Sequence, residues 1–360
     1  MDKSQYFKDL KVIELASVLA GPSVGLFFAE LGAKVIKVEN KLSGGDITRR
    51  WKLPEEDQDN PFSAYYYSIN WNKEIMMMDL SDPADLEVLL ELVKDADILI
   101  ANFKAGAAEK LGVGYDDLKS LNPKLIYSSV NAYGESDPRP GFDVVMQAET
   151  GWIYMNGETQ GLPVKMPVAL MDVLAGHQLK EGVLLALLDR ERTGLGCKVS
   201  ISLFDTGVAS LANQATNWLN LQNIPQRLGS RHPNIAPYGD TFYTADNKAL
   251  IVSTGTTKQW QGLCEVLGIP ELITDPRFID NGQRLHHRDE LAEALSRGFA
   301  QFQSEELMRI CEKGGIPIAP IRNMKEVFDM PAAKALILEE TMPDGSISKR
   351  VQTAVFKISE

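Results

Sequence analysis

In the segment VALMDVLAGH (168–177) one carboxylate, Asp172, interrupts an apolar run. Burying an ionised carboxylate without a partner costs on the order of several kcal/mol, so this residue needs either the hydrogen bonds of a helix cap or a chemical task. The residue pattern alone favours the cap. VLAGHQLKEGVLLALLDR (173–190) reads as a helix, and an Asp just ahead of it accepts the first unpaired backbone N–H groups. Asp143, in PGFDVVMQ, is the second carboxylate of interest, and by itself it reads as a loop Asp bonding nearby backbone. His177 would make a proton-transfer dyad with Asp172 only on a shared helix face, and their separation in sequence turns it away. His232 in RHPNIAPY reads as a loop residue, and His286 and His287 as solvated residues opening a polar helix. Cys197, Cys264 and Cys311 lie far apart, with no CxxC and no His spacing suited to zinc. They predict reduced thiols, no disulfide framework and no metal site.

The elements that must position these residues follow from periodicity. LKVIELAS (10–17) is a short apolar strand; AGPSVGLFFAELG (20–32) is a helix, with Pro22 suited to a first helical position and Gly32 to its end; KVIKVE (34–39) is the next strand. The alternation continues with an amphipathic helix at 83–96 and strands at 97–102 and 124–131. Right-handed crossovers and a parallel sheet with helices on both faces are implied. From about residue 225 the texture changes to a loop and hairpin (229–255, turn at Ala245 to Lys248) followed by three helices. A second hairpin is expected around Pro343, Asp344 and Gly345. A chain of 360 residues exceeds what one core usually serves. The expectation is therefore an α/β protein: a large Rossmann-like domain (1–224 and 326–360) and a small α+β domain (225–325).

Ligands of such sheets bind at the carboxyl ends of the strands, here SVLAGP, VENKLSGGD and IANFKAG. None carries GxGxxG, which disfavours a nicotinamide or flavin dinucleotide. A net charge of −12 argues against a nucleic-acid surface but leaves room for local cations that cradle phosphates. With no signal-peptide pattern and no apolar window of membrane-spanning length, a cytoplasmic protein is expected.

Several segments taken together resemble the class III coenzyme A transferase family: LAGPSVGLFFAELGAKVIKVE, SGGDITRRW, NWNKEIMMMDL, ANFKAGAAEKLG, RPGFDVVMQAETG, PVALMDVLAGH, RTGLGCKVSISLFD, HPNIAPY and DPRF, in family order over nearly the whole chain. The family comprises formyl-CoA, carnitine and dicarboxylate CoA transferases and the related α-methylacyl-CoA racemases. The resemblance implies that Asp172 is the nucleophile, sustained as an anion by the helix start and approached by a thioester over Ala175 and Gly176. It puts Asp143 beside Asp172 as a second catalytic carboxylate. It implies coenzyme A contacts at Val18, Leu19, Ala20, Asn40, Lys73, Asn102, Phe103, Lys104, Lys110 and Arg139, with Lys73 the leading cation among the lysines.

The implied reaction moves coenzyme A from an acyl-CoA donor to a carboxylic acid acceptor, a short di- or hydroxycarboxylate, through an aspartyl anhydride and an aspartyl-CoA thioester. Coenzyme A is substrate, and neither a cofactor nor a metal is expected. Arg49 or Arg50 is a candidate holder of the distal carboxylate. Leu19 departs from the glutamine of formyl-CoA transferase, which turns the reading away from formyl-CoA and oxalate. An interlocked homodimer is the implied assembly, with no nucleic-acid or membrane partner. Two other readings stand beside the transferase: a racemase, disfavoured because Phe142 stands where that branch has a histidine, and a CoA-binding protein without chemistry.

Overall fold

The structure is a computed structural model that describes residues 3–341, 345 and 347–359. Six strands, β1 (Lys11–Leu15), β2 (Lys34–Asn40), β3 (Lys73–Met78), β4 (Ile98–Ala101), β5 (Ile126–Asn131) and β6 (Lys198–Ser202), form one parallel sheet in the order β3-β2-β1-β4-β5-β6. The order reverses between β1 and β4, which leaves a crevice at their carboxyl ends. The strands are apolar because both sheet faces are covered. On one face Val12, Ile100 and Val130 pack with Val24 and Phe28 of α1 (Ala20–Glu30), and on the other Ile13, Leu99 and Tyr127 pack with Leu89 and Val93 of α2 (Pro83–Lys94). Two further helices matter for the site: α3 (Asp143–Glu149) and α4 (Leu170–Thr193). The face of α4 carrying Met171, Ala175, Leu179 and Val183 is buried in the same cluster as α1. None of the helices among the described residues is long and apolar enough to cross a membrane.

Two compact units are present: Met1–Trp152 with Lys165–Thr216 and Lys334–Glu360, and Ile153–Val164 with Asn217–Ala333. The junctions thus fall about eight residues from those expected, and the segment 153–164 belongs to the smaller unit. That unit has its own core, built on the antiparallel strands β7 (Tyr238–Tyr243), β8 (Ala249–Ser253) and β9 (Ile318–Pro320) with helices α5 (Thr257–Val266), α6 (Arg288–Phe299) and α7 (Ser304–Lys313). The sequence shows the hairpin and the three helices; the three-residue β9 is too short to leave a periodic signal. In the larger unit, β10 (Ile337–Thr341) and β11 (Ile347–Val351) pair antiparallel, while Pro343 and Asp344 of the expected turn lie outside the described residues. The segment after β11 is anchored on α1: Glu30 accepts hydrogen bonds from Arg350, from Thr353 N at 3.0 Å and from Ala354 N at 2.7 Å.

Candidate active site

The loop after β1 is pinned from two sides. Asn102, at the end of β4, accepts from Ser17 N at 3.1 Å and donates to Ser17 O at 2.8 Å. Asp46 accepts from Val18 N at 3.2 Å and from both Thr48 N and Thr48 Oγ1. Val18 itself has φ +74°, a left-handed conformation that a β-branched residue resists. The loop is therefore held in place against its own preference.

Asp46 belongs to a buried ionic cluster. Lys37 Nζ lies 2.9 Å from Glu14 Oε1 and 3.0 Å from Asp46 Oδ2, and Lys73 Nζ lies 2.8 Å from Glu14 Oε2, with these side chains fully buried. The parallel register sets Glu14 opposite Lys37, and α1 comes close enough to cover Glu14 only because Gly25 has no Cβ, which would sit 1.9 Å from Glu14 Oε2. Burial opposes every charge here. Glu14 and Asp46 nevertheless hold Lys37 above its ordinary range, and Lys37 and Thr48 hold Asp46 below its own. Lys73 is corrected by this finding: it donates to Glu14, Pro22 O and Asn70 inside the unit and cannot reach a phosphate. Burial pulls its pKa down to about 8.

Two adjoining cavities follow the carboxyl ends of the strands, and both are lined by Ser17, Asn102, Phe103 and Lys104. The first, about 600 Å³, continues past Asn40, Arg50 and Met78; the second, about 320 Å³, past Val18, Leu19, Ala20, Arg139 and Phe142 to Asp172. Most of the expected coenzyme A contacts are thus gathered along one groove. Lys104 is exposed at the shared wall, whereas Lys110 is exposed on the turn Ala107–Lys110 and lines neither cavity. Arg139 lies over the Tyr133 ring and is paired with Asp137 at 2.8 Å. Arg49 is corrected too: it is bound to Glu39 at 2.6 Å and to Tyr66 Oη at 2.8 Å, so that of these two arginines Arg50 lines the groove.

Asp172 sits in the first turn of α4, after the N-cap residue Ala169, so it is not the cap. The capping group is Asp143, the first residue of α3. Its Oδ1 accepts from Met171 N at 2.6 Å and from Asp172 N at 3.3 Å, and its Oδ2 accepts from Gln147 Nε2 at 2.6 Å. Neither bland reading survives: Asp172 caps nothing, and Asp143 bonds backbone far away in sequence. Asp172 is 7% exposed, and among the described residues no donor meets its carboxylate. The start of α4 favours its anion, but burial and then the charge of Asp143 outweigh this and push its pKa up to about 7. Ala175 and Gly176 do not open a path for a thioester. Ala175 is fully buried, and a Cβ on Gly176 would fall 2.1 Å from Ser23 Oγ of α1, so these small residues serve helix packing. The sequence reading missed Tyr65, whose phenol is pushed up to about 12 by burial and then by the charges of Asp172 and Asp143.

A buried carboxyl poised near neutrality, with no hydrogen bonds on its oxygens, is suited to nucleophilic work. Phe142, at the cavity edge, has no proton to exchange. His232 meets the Tyr238 ring edge-on in the smaller unit, and His287 pairs with Glu290 at 2.9 Å. Among the described residues no three His, Cys, Asp or Glu side chains converge as a metal cage.

Comparisons with known proteins agree on one kinship. The profile of CoA-transferase family III matches residues 7–360. A succinate–glutarate CoA-transferase of Agrobacterium fabrum is 37% identical over 96% of this chain and 88% of its own length. An acetyl-CoA:oxalate CoA-transferase of Acetobacter aceti is 34% identical over 91% and 84%. The crystal structure of a CaiB/BaiF family protein from Brucella suis superposes with a TM-score of 0.83 at 36% identity, covering 97% of this chain and 92% of that one.

Proposed function

The chain belongs to CoA-transferase family III, and from that premise we propose that it moves coenzyme A from an acyl-CoA donor to a short di- or hydroxycarboxylate, using Asp172 as nucleophile. The observation that carries the proposal is the state of the Asp172 carboxyl: in the groove, buried, met by no hydrogen-bond donor among the described residues and held near neutrality. An Asp Oδ attacks the thioester carbonyl, the C–S bond breaks, and an acyl-aspartyl anhydride and CoA thiolate result. The thiolate then attacks the aspartyl carbonyl, the C–O bond to the acyl group breaks, and the donor acid leaves as its carboxylate. An acceptor carboxylate repeats the two steps in reverse and frees Asp172.

An ester of serine would not return CoA so readily, whereas the aspartyl-CoA thioester is close in energy to the substrate thioesters and the more reactive anhydride lies above them. Water must be excluded while they persist, and a carboxyl hidden among Leu19, Ala20 and Phe142 meets that need. Lys104 and Arg50, exposed on the groove, are the cations suited to the phosphates of coenzyme A, with Phe103 packed beside its apolar arm. Tyr65 and Asp143 border the reacting carboxyl. No further cofactor enters this scheme, and two chains make the working dimer.

The reaction is tested with a panel of acceptor acids and succinyl-, acetyl- or formyl-CoA as donor, new CoA thioesters being detected by mass. Transfer to short dicarboxylates or hydroxyacids supports the proposal. Thioester hydrolysis alone, or proton exchange at the α-carbon of a 2-methylacyl-CoA in deuterated water, contradicts it.

A further inference from the structure

A third cavity, of about 510 Å³, opens beyond Leu19, which lines both it and the chamber of Asp172. Its walls include Tyr65, Asp143, Val173, His177 and Lys180. The last three lie on one face of α4 at spacings of four and three residues, so the cavity runs along the helix away from the reacting end.

Lys180 is the unusual member. It is partly buried, yet among the described residues no carboxylate comes within ion-pairing distance; its nearest recorded partner is the Phe27 ring, with Nζ 5.4 Å from the centroid. Burial pulls its pKa down; of the two carboxylates that counter this, Glu30 is already bound to Arg350 and to the backbone of Thr353 and Ala354, and Glu181 is exposed and makes no ion pair with it. A desolvated ammonium without a counter-ion is costly, and that cost is recovered when an anion arrives. The other cations of this cavity fit the task less well. Lys165 is exposed and donates to Met166 O at 3.1 Å, and His177 is exposed and held toward its neutral form by burial and by Lys180.

We propose that Lys180 holds the distal carboxylate of the transferred acid, so that the cavity between Leu19 and α4 selects dicarboxylates over monocarboxylates. The inference rests on the transferase reading above and names its substrate-selecting residue. Eight residues separate Lys180 from Asp172, a rise of about 12 Å along the helix. Helical side chains lean toward the N-terminus, so the lysine stem reaches back along the cavity toward the reacting end and leaves a gap suited to a short dicarboxylate. One carboxylate then meets Asp172 past Leu19 while the other pairs with the ammonium.

The test compares glutarate with pentanoate, five-carbon acids that differ at the distal end, as acceptors from one donor. The parent should prefer glutarate in kcat/KM. In Lys180→Met and Lys180→Gln the ratio of the two values should fall roughly ten- to a hundredfold, the worth of a hydrogen bond to a charged group, chiefly through KM for glutarate, and Lys180→Arg should restore much of it. A parent that does not distinguish the two acids, or a ratio unmoved in variants that unfold like the parent, overturns the role of Lys180 while leaving the transferase reading intact. A parent that transfers CoA to neither acid nor to any other carboxylate defeats the transferase reading itself.

Discussion

Two acidic clusters lie at the carboxyl edge of the same sheet, and they are built on opposite principles. Glu14 and Asp46 are fully buried, yet each is met by lysines at 2.8 to 3.0 Å, and Asp46 also takes hydrogen bonds from Val18 N and Thr48. Asp172 is buried almost as deeply, has another carboxylate for a neighbour, and receives no hydrogen bond on its oxygens among the described residues. The first cluster holds Asp46 below its ordinary pKa, and the second pushes Asp172 up to about 7. Paired charge fixes the loop that shapes the groove, while the unpaired carboxyl stands where the proposed reaction needs one.

Breaking the paired cluster should give the largest loss of stability. Lys37→Met leaves Glu14 and Asp46 buried without the ammonium between them, a defect worth about 3 to 5 kcal/mol, to be read from denaturant unfolding. Asp172→Asn should act in the opposite direction. Between its ordinary value of 3.8 and about 7, the folded protein retains a proton on Asp172 that the unfolded chain has released. Stability attributable to this group therefore falls as pH rises through that window and levels off above it. The Asn variant lacks the penalty, so its gain over the parent should be a few kcal/mol at pH 8, by order of magnitude, and clearly less at pH 5. Unfolding midpoints at the two pH values measure both.

Smaller effects sharpen the contrast. In Asp143→Asn the amide oxygen still caps α4, but the neighbouring charge is gone. The acidic limb of the pH profile of CoA transfer should move to lower pH, by less than the full shift because burial is the larger cause. The new amide nitrogen also faces Gln147 Nε2, where Asp143 now accepts at 2.6 Å, and that lost bond should cost about 1 kcal/mol. Val18→Gly removes the left-handed strain of the pinned loop. Its stability should stay within about 1 kcal/mol of the parent, relief of strain offsetting the entropy of the new glycine in the unfolded chain.

The parallel sheet was legible because doubly covered strands such as KVIEL and KVIKVEN are nearly continuous apolar runs. Those same runs carried an overlooked signal: Glu14 and Lys37 stand at positions where a covered sheet tolerates charge only in pairs. Lys73 was read as a phosphate ligand because sequence does not reveal which way a lysine at a strand's first residue points; its partner Glu14 lies two strands away, across β2. The cap of α4 was assigned to Asp172 for a related reason. Capping by Asp143 joins residues 28 and 29 positions apart, a distance that no local pattern encodes. Gly176 was read as space for a substrate, although a small residue equally marks helix packing, and Ser23 shows that packing is its role.

The central claim is that Asp172 becomes covalently attached to coenzyme A. Incubation with succinyl-CoA and no acceptor, followed by hydroxylamine or borohydride treatment and peptide mass analysis, should find the modification on the peptide containing Asp172. Its formation should rise with pH through about 7, where the carboxyl ionises. Freshly prepared Asp172→Asn, checked by mass for absence of deamidation, should show neither modification nor turnover. An Asp172→Asn protein that exchanges CoA at a rate comparable to the parent, or a parent modified on a different residue, would contradict the account.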